Sequence, residues 1–181
     1  MEYKEVYGNL FDAPQGFCLA HCIAGDFGMS AGIATQFNDK FNMKNRLKES
    51  YGAVESPMVL KIDNVFNLIT KNKSWEKPTY DSLMETLIQL RNMMIEDGDE
   101  KLAIPQIGCG LDKLSWNVVR ELIVEVFQDT EISITVYIYD ENKSVEDCPS
   151  SVKIFGNSQE EKTTFYDDDD IKYDMGYMDN Y

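Results

Sequence analysis

The sequence predicts an α/β fold in which helices cover both faces of a central sheet. Through the first 140 residues, short strand-like runs alternate with longer segments in which apolar residues recur every three or four positions. The strand-like runs are rich in apolar and β-branched residues, as strands are when both faces of their sheet are covered. This alternation is typical of α/β sandwiches, whose ligands bind at the carboxyl ends of the strands.

The first part of the chain is predicted to form four strands and one helix. An apolar face that includes Ile33, Phe37 and Phe41 indicates the helix. A hairpin-like turn is expected at Asp63-Asn64, between the last two of these strands. The five elements are expected at Glu2–Val6, Gly16–Ile23, Ala31–Phe41, Met58–Ile62 and Val65–Ile69.

The second part of the chain is predicted to add two helices and two strands. Pro78 suits the first turn of a helix and Gly98 suits its end, while Ser115 is a favoured cap for the last helix. These elements are a helix from Pro78 to about Asp97, a strand at Leu102–Ile107, a helix from Ser115 through Phe127 and a strand at Ile132–Ile138.

Net charge limits the kinds of partner that the protein can have. The formal charge is −15, which argues against broad electrostatic adhesion to nucleic acid or to an anionic membrane. A local pocket for one phosphorylated ligand remains compatible with this charge. No apolar run approaches the length of a membrane span, and the N-terminus does not resemble a signal peptide, so we expect a soluble, cytoplasmic protein.

The end of the chain differs in composition from the rest. Residues 140–181 hold 12 acidic and 4 basic residues and show no helical or strand periodicity. We therefore expect a domain at 1–140 and a mostly disordered acidic tail at 141–181. The alternative for the tail is a docking peptide whose tyrosines, which lie between acids, bind a basic partner.

The cysteines and the single histidine do not predict a metal site. The four cysteines form no Cys-x-x-Cys pair, and a zinc site needs three or four suitably spaced ligands. We expect no metal and no cofactor, and reduced thiols. His21 lies within an apolar strand, so a hydrogen-bonded core residue is the preferred interpretation and a catalytic role is the alternative.

One loop in the second half is suited to a phosphorylated ligand. The predicted strand at 102–107 leads into Gly108 and Gly110, then Asp112, and then a helix. Glycines let a ligand approach the backbone closely, and free backbone N–H groups near a helix N-terminus bind phosphate. Asp112 beside such a ligand indicates chemistry next to a nucleotide.

Three other segments are expected to belong to the same site. Each is a short glycine-containing loop or a strand end, and each alone is a weak signal. The segments are Gly8–Phe11 after the first strand, the glycine-rich loop Gly25–Ala34, and Leu68–Lys71 at a strand end.

These motifs resemble the macrodomain family, and in particular the branch that contains the terminal ADP-ribose protein glycohydrolase. The resemblance covers about residues 3–139 in consistent order and none of the tail, and its most specific part is Pro105–Trp116. The matching stretches are Leu19–Ile23, Met29–Ala34, Leu68–Lys71, Lys77–Tyr80, Pro105–Trp116 and Ile132–Tyr137.

The resemblance implies a three-layer α/β/α fold with a mixed sheet, and an ADP-ribosyl hydrolase. In this branch a lysine matching Lys71 attacks the anomeric carbon of the distal ribose, and an acid matching Asp112 assists proton transfer. Lys73 is a candidate cationic neighbour of Lys71. The residues expected to contact ADP-ribose are Asn9, Leu10, Gly28, Met29, Ser30, Ala31, Gly32, Ile33, Ile107, Gly108, Cys109, Gly110 and Leu111.

Two departures from the family pattern concern substrate choice. Many macrodomains carry Asp where this chain has Asn9, whose amide oxygen can still accept a hydrogen bond from adenine. Relatives carry a basic residue at the position of Gly28 and a glycine at the position of Ser30.

Several functions remain open from the sequence. ADP-ribose could be removed from acidic protein side chains, from O-acetyl-ADP-ribose, or from a thymine base in nucleic acid. The alternatives are a non-catalytic ADP-ribose reader, which would need neither Lys71 nor Asp112, and an ADP-ribose-1″-phosphate phosphatase. A further alternative is that the domain is a scaffold and that the tail binds the functional partner.

Overall fold

A computed structural model describes residues 1–143 and shows one six-stranded mixed sheet. Nearly all of the predicted tail therefore lies outside the described residues. The strands are β1 (Glu2–Tyr7), β2 (Cys18–Ala24), β3 (Met58–Ile62), β4 (Val65–Lys71), β5 (Lys101–Pro105) and β6 (Ser133–Ile138). The helices are α1 (Ile33–Phe41), α2 (Met43–Tyr51), α3 (Tyr80–Asp97) and α4 (Trp116–Phe127).

The strand order is β1-β6-β5-β2-β4-β3, and only β3 runs antiparallel to its neighbour. One apolar core packs the sheet against α3 and α4, and a second packs its other face against α1 and α2. Burying apolar side chains on both faces explains why the central strands read as nearly continuous apolar runs. The predicted three-layer α/β/α arrangement is confirmed.

Helix α2 and one short turn were not predicted. Only Met43 and Leu47 of α2 are buried, so its sequence carries a weak apolar signal. Asn42, in a left-handed conformation with φ of 50°, joins α1 directly to α2. A single 3₁₀ turn at Leu10–Asp12 follows β1.

Several predicted boundaries differ by one or two residues: β2 begins at Cys18 and not at Gly16, α1 begins at Ile33 and not at Ala31, and β4 continues past Ile69 to Lys71. Helix α3 is capped by Thr79, so Pro78 lies just before the helix and not in its first turn. Ser115 occupies the cap position of α4, but its side chain makes no capping hydrogen bond. Strand β5 ends at Pro105, and Ile107 belongs to the loop that follows.

Side chains cover the outer edge of β3. The Gln89 amide accepts a hydrogen bond from Val59 N (3.1 Å) and donates one to the Pro57 carbonyl (3.3 Å). The Tyr51 hydroxyl donates to the Lys61 carbonyl at 2.9 Å. Within residues 1–143, no helix has the length and apolar character needed to cross a membrane.

Candidate functional site

A cavity of about 770 Å³ lies at the carboxyl ends of the parallel strands, and it brings all four predicted segments together. This volume is typical of a small-molecule site. It forms at this edge because the loops after β1, β2, β4 and β5 all leave the sheet there. The predicted site residues that line it are Asn9, Leu10, Gly28, Ser30, Ala31, Gly32, Ile33, Lys71, Ile107, Gly108, Cys109, Gly110, Leu111 and Asp112.

Met29 is the one predicted site residue outside this lining. Its side chain is 4% exposed and packs in the core with Phe27 and Phe37, beneath the glycine loop. The sequence could not separate Met29 from its neighbours, because a loop motif does not say which side chain turns inward. The roles of the lining residues stay predictions.

Lys71 and Asp112 form an ion pair in the cavity wall. Lys71 ends β4, Asp112 lies in the loop after β5, and Lys71 Nζ lies 2.5 Å from Asp112 Oδ1. Their side chains are only 13% and 14% exposed, so the pair is largely withdrawn from solvent. Ammonium and carboxylate at this distance can exchange a proton directly.

The loop that carries Asp112 is shaped by two glycines. Gly108 has φ of 71°, and a Cβ there would lie 2.9 Å from Leu114, so a larger residue would displace the loop. Gly110 faces open space. Within residues 1–143, the N–H groups of Gly110 and Leu111 donate no backbone hydrogen bond, which leaves them available to an anionic ligand.

Lys77 anchors the same loop. Its Nζ donates a 2.5 Å hydrogen bond to the Leu111 carbonyl, next to Asp112, and Lys77 also lines the cavity. Lys73, the candidate cationic neighbour, is exposed and does not line the cavity. The charged group paired with the Lys71 amine is therefore Asp112.

Asn9 uses its amide oxygen locally as well as facing the cavity. Asn9 Oδ1 accepts a 3.0 Å hydrogen bond from Phe11 N and so caps the 3₁₀ turn. An amide oxygen has a second lone pair, which can still accept from a ligand.

His21 is a core residue and does not line the cavity. It is fully buried, stacks on Phe37 with ring centroids 3.8 Å apart, and its Nε2 lies 2.9 Å from Asn67 Oδ1. Burial lowers the pKa of His21 to about 4. This position agrees with the core interpretation.

The two cysteines in the cavity wall are protonated thiols at neutral pH. Burial raises the pKa of Cys22 to about 12 and that of Cys109 to about 11. A thiol with such a pKa is a poor nucleophile. Within residues 1–143, no group of three or more His, Cys, Asp or Glu side chains is arranged to hold a metal ion.

Several lining residues were given no role from the sequence. Lys77 lies within a stretch that carried the family resemblance, so its signal was present but unassigned. Tyr137 lies near the end of β6 and Tyr139 is the first residue after it, and their spacing of two predicts that both face the same side. The unassigned polar and aromatic lining residues are Gln36, Ser74, Lys77, Gln106, Tyr137 and Tyr139.

Comparison with known proteins shows to which family this chain belongs. Human ADP-ribose glycohydrolase OARD1 is 42% identical over 134 residues, which are 73% of this chain and 88% of the human protein. The macrodomain of Thermus aquaticus DarG matches with a TM-score of 0.65 at 25% identity, over 76% of this chain and 97% of that one. The chain belongs to the macrodomain family.

A second solved macrodomain, from Mycobacterium tuberculosis DarG, matches this macrodomain with a TM-score of 0.67 at 22% identity, over 74% of this chain and 96% of that one. The 42% identity to the human glycohydrolase confirms the resemblance stated from the motifs. Among protein-family models, none matches the chain.

Proposed function

We propose that this macrodomain is a hydrolase that removes ADP-ribose from acidic side chains of proteins, with Lys71 as nucleophile and Asp112 as proton acceptor and donor. The observation that carries the proposal is the Lys71–Asp112 pair, with 2.5 Å between Nζ and Oδ1, in the wall of the cavity. The 42% identity to a protein named ADP-ribose glycohydrolase supports both the ligand and the reaction.

The shape and chemistry of the cavity suit ADP-ribose. The N–H groups of Gly110 and Leu111, which donate no backbone hydrogen bond, can bind a diphosphate, and the exposed Leu111 side chain offers an apolar surface. Asn9 follows β1, whereas Lys71 ends β4 at the other end of the row of parallel strands. The Asn9 amide oxygen can accept a hydrogen bond from the adenine amino group. The distal ribose is then left beside Lys71.

The first chemical step is a displacement at the anomeric carbon. Proton transfer from the Lys71 ammonium to the Asp112 carboxylate leaves a neutral amine with a free electron pair. The amine nitrogen forms a bond to the anomeric carbon, and the bond from that carbon to the substrate carboxylate oxygen breaks. The substrate carboxylate leaves with the electron pair of the broken bond, and the glutamate or aspartate side chain is restored.

The second step releases ADP-ribose by hydrolysis of the adduct. Asp112 first releases to solvent the proton that it took from Lys71. Water then adds to the anomeric carbon as the carbon–nitrogen bond breaks, and the amine leaves with the electron pair of that bond. Asp112 accepts the proton that the water loses and returns it to the amine, so free ADP-ribose, the Lys71 ammonium and the Asp112 carboxylate are the products. The direct contact between the Asp112 carboxylate and the lysine nitrogen supports a role for Asp112 in both transfers.

The test is release of free ADP-ribose from a glutamate-ADP-ribosylated protein by the wild type and by Lys71→Ala. We expect the variant to lose more than about a thousandfold in rate, because the amine of Lys77, which also lines the cavity, is held by the Leu111 carbonyl. The matched control is Lys73→Ala, which removes an exposed lysine two residues away that does not line the cavity. The control should release ADP-ribose at the wild-type rate.

Three outcomes would contradict the proposal. Wild type that binds ADP-ribose in calorimetry but releases none would be a reader module. Phosphate release from ADP-ribose-1″-phosphate without glycosidic cleavage would indicate a phosphatase. Equal activity of wild type and Lys71→Ala would exclude the lysine mechanism. Thymine-ADP-ribosylated single-stranded DNA, run as a second substrate, compares a base linkage with the ester linkage.

A further inference from the structure

We propose that Asp26 is a positioning residue that holds the Lys71 amine in its reactive place by joining the glycine loop to the segment after β4. This inference rests on the proposed function. Asp26 does not line the cavity, so it acts through other residues and not on the ligand.

The orientation of Lys71 depends on an irregular strand end. Strands β2 and β4 pair in parallel as far as Ile23 and Ile69, but the next pair is Ala24 with Lys71, so Thr70 is an extra residue in β4. A bulge of this kind changes the direction of the following side chain. Regular sheet pairing alone therefore does not fix where the Lys71 side chain points.

Backbone hydrogen bonds tie this strand end to the glycine loop. Gly25 N donates to the Lys71 carbonyl at 2.9 Å, and Asp26 N donates to the Asn72 carbonyl at 3.2 Å. Ser82, on α3, donates from its hydroxyl to the Thr70 carbonyl at 2.8 Å and holds the extra residue.

The Asp26 carboxylate makes three further hydrogen bonds that span the same junction. Oδ1 accepts from Gly28 N at 3.1 Å and from the Ser74 hydroxyl at 2.5 Å, and Oδ2 accepts from Ser74 N at 2.9 Å. One side chain thus binds the glycine loop and the segment that continues from Lys71. A carboxylate is suited to this task because it offers only acceptors to three donors.

The contact between the two segments is too close for other residues. A Cβ at Gly28 would lie 1.9 Å from the Ser74 hydroxyl. The Ser74 hydroxyl therefore occupies the space of the side chain that residue 28 lacks. This explains why the chain combines glycine at position 28 with serine at position 74.

Asp26 remains ionised when these bonds form. Partial burial raises the pKa of Asp26, but the hydrogen bonds from Ser74 and Gly28 lower it by more than burial raises it. The pKa of Asp26 therefore lies below its ordinary value. Replacing the carboxylate by an amide would place an N–H group opposite a donor. Asp26→Asn is therefore expected to lose at least one of the three bonds.

The test compares Asp26→Asn and Asp26→Ala with the wild type in the ADP-ribose release assay, in calorimetry with ADP-ribose and in urea unfolding. We expect kcat to fall about ten- to a hundredfold, with the larger loss in the alanine variant. Gly28 and Ser74, the partners of Asp26, also line the cavity, so the Kd for ADP-ribose is expected to rise too, but by less than the fall in kcat because the N–H groups of Gly110 and Leu111 are untouched. The matched control is Asp129→Asn, which alters an exposed carboxylate paired with Arg91 on the far side of the domain.

A double-mutant cycle separates positioning from general stabilisation. If Asp26 acts through Ser74, the loss of kcat in Asp26→Ala/Ser74→Ala should equal that of Asp26→Ala alone. An active wild type with unchanged kcat in both folded Asp26 variants would overturn the inference. So would equal losses in kcat, Kd and unfolding midpoint. An inactive wild type would instead overturn the proposed function, and the two failures are thus distinguishable.

Discussion

At the residue scale, the site depends on side chains that are far apart in sequence. Lys71 and Asp112 are 41 positions apart, yet the strand order places β4 and β5 on either side of β2, and their ends converge. The motifs predicted which residues belong to the cavity. They could not predict the 2.5 Å contact, because a distance between two side chains depends on the packing of the whole sheet edge.

The Asp26 junction shows where residue-level prediction ends. The sequence marked Gly25–Ala34 as a glycine-rich loop and noted that Gly28 departs from the family pattern. Nothing in the sequence shows that the missing side chain is replaced by the Ser74 hydroxyl from another segment. Such compensation between distant positions is visible only when the two backbones are placed together.

His21 gives a prediction for the pH dependence of stability. Asn67 Nδ2 donates to backbone carbonyls, so Asn67 Oδ1 accepts and His21 Nε2 donates. Burial lowers the pKa of the ring, so the folded histidine is neutral at pH 7. The unfolded chain binds a proton at His21 below about pH 6.5, whereas the folded chain does so only near pH 4. Stability is therefore lost as the pH falls through this window.

We expect the wild type to lose about 2 kcal/mol more unfolding free energy than His21→Gln between pH 7 and pH 5. Urea unfolding at a series of pH values measures this difference. Because the chain has a single histidine, the difference between the two proteins belongs to this side chain. Parallel pH profiles for the two proteins would show that His21 titrates normally when buried.

At the scale of the elements, the sequence predicted those with strong apolar periodicity. Strands β3 and β6 were located to within one residue, because their apolar runs have clear ends. Helix α2 was missed, since it buries only Met43 and Leu47 and exposes the rest of its surface. A helix that contacts the core through two residues has almost no periodic signal for sequence analysis to detect.

The N-terminal caps of α3 and α4 predict different losses of stability for two matched substitutions to alanine. The Thr79 hydroxyl accepts a hydrogen bond from Ser82 N at 3.0 Å, and the Ser82 hydroxyl accepts one from Thr79 N at 3.1 Å. Thr79→Ala should therefore lower the unfolding free energy by about 1 kcal/mol. Ser115→Ala, at the cap of α4, should change it by much less because its side chain makes no capping bond.

Urea unfolding of the two variants measures this difference directly. Equal losses in Thr79→Ala and Ser115→Ala would mean that the hydroxyl bonds of the capping box do not stabilise α3. The sequence marked Ser115 as a cap and began α3 at Pro78, so it did not single out Thr79; the side-chain geometry shows that the capping bonds form at Thr79 and not at Ser115.

At the scale of the whole molecule, residues 1–143 contain a complete sheet, both apolar cores and the cavity. The remaining residues 144–181 carry ten acidic and three basic side chains. We therefore expect a chain that ends at residue 143 to keep the thermal unfolding midpoint of the full chain within about 2 °C. Its rate of ADP-ribose release should also be unchanged.

Calorimetry and the release assay test this expectation. Loss of activity in the shortened chain would show that residues 144–181 contribute to catalysis or to substrate binding. The composition predicted a separate acidic region from charge alone, and that prediction concerns residues outside those that the structure describes.

The hydrogen bonds along β3 have a consequence for how the protein behaves in a crowded solution. An exposed strand edge is a template on which a second chain can add a strand and begin to polymerise. Here the Gln89 side chain accepts a hydrogen bond from the Val59 N–H and donates one to the Pro57 carbonyl, and the Tyr51 hydroxyl donates one to the Lys61 carbonyl. Two side chains thus bond three of the backbone groups that an added strand would need, which makes growth by sheet extension less favourable on this side.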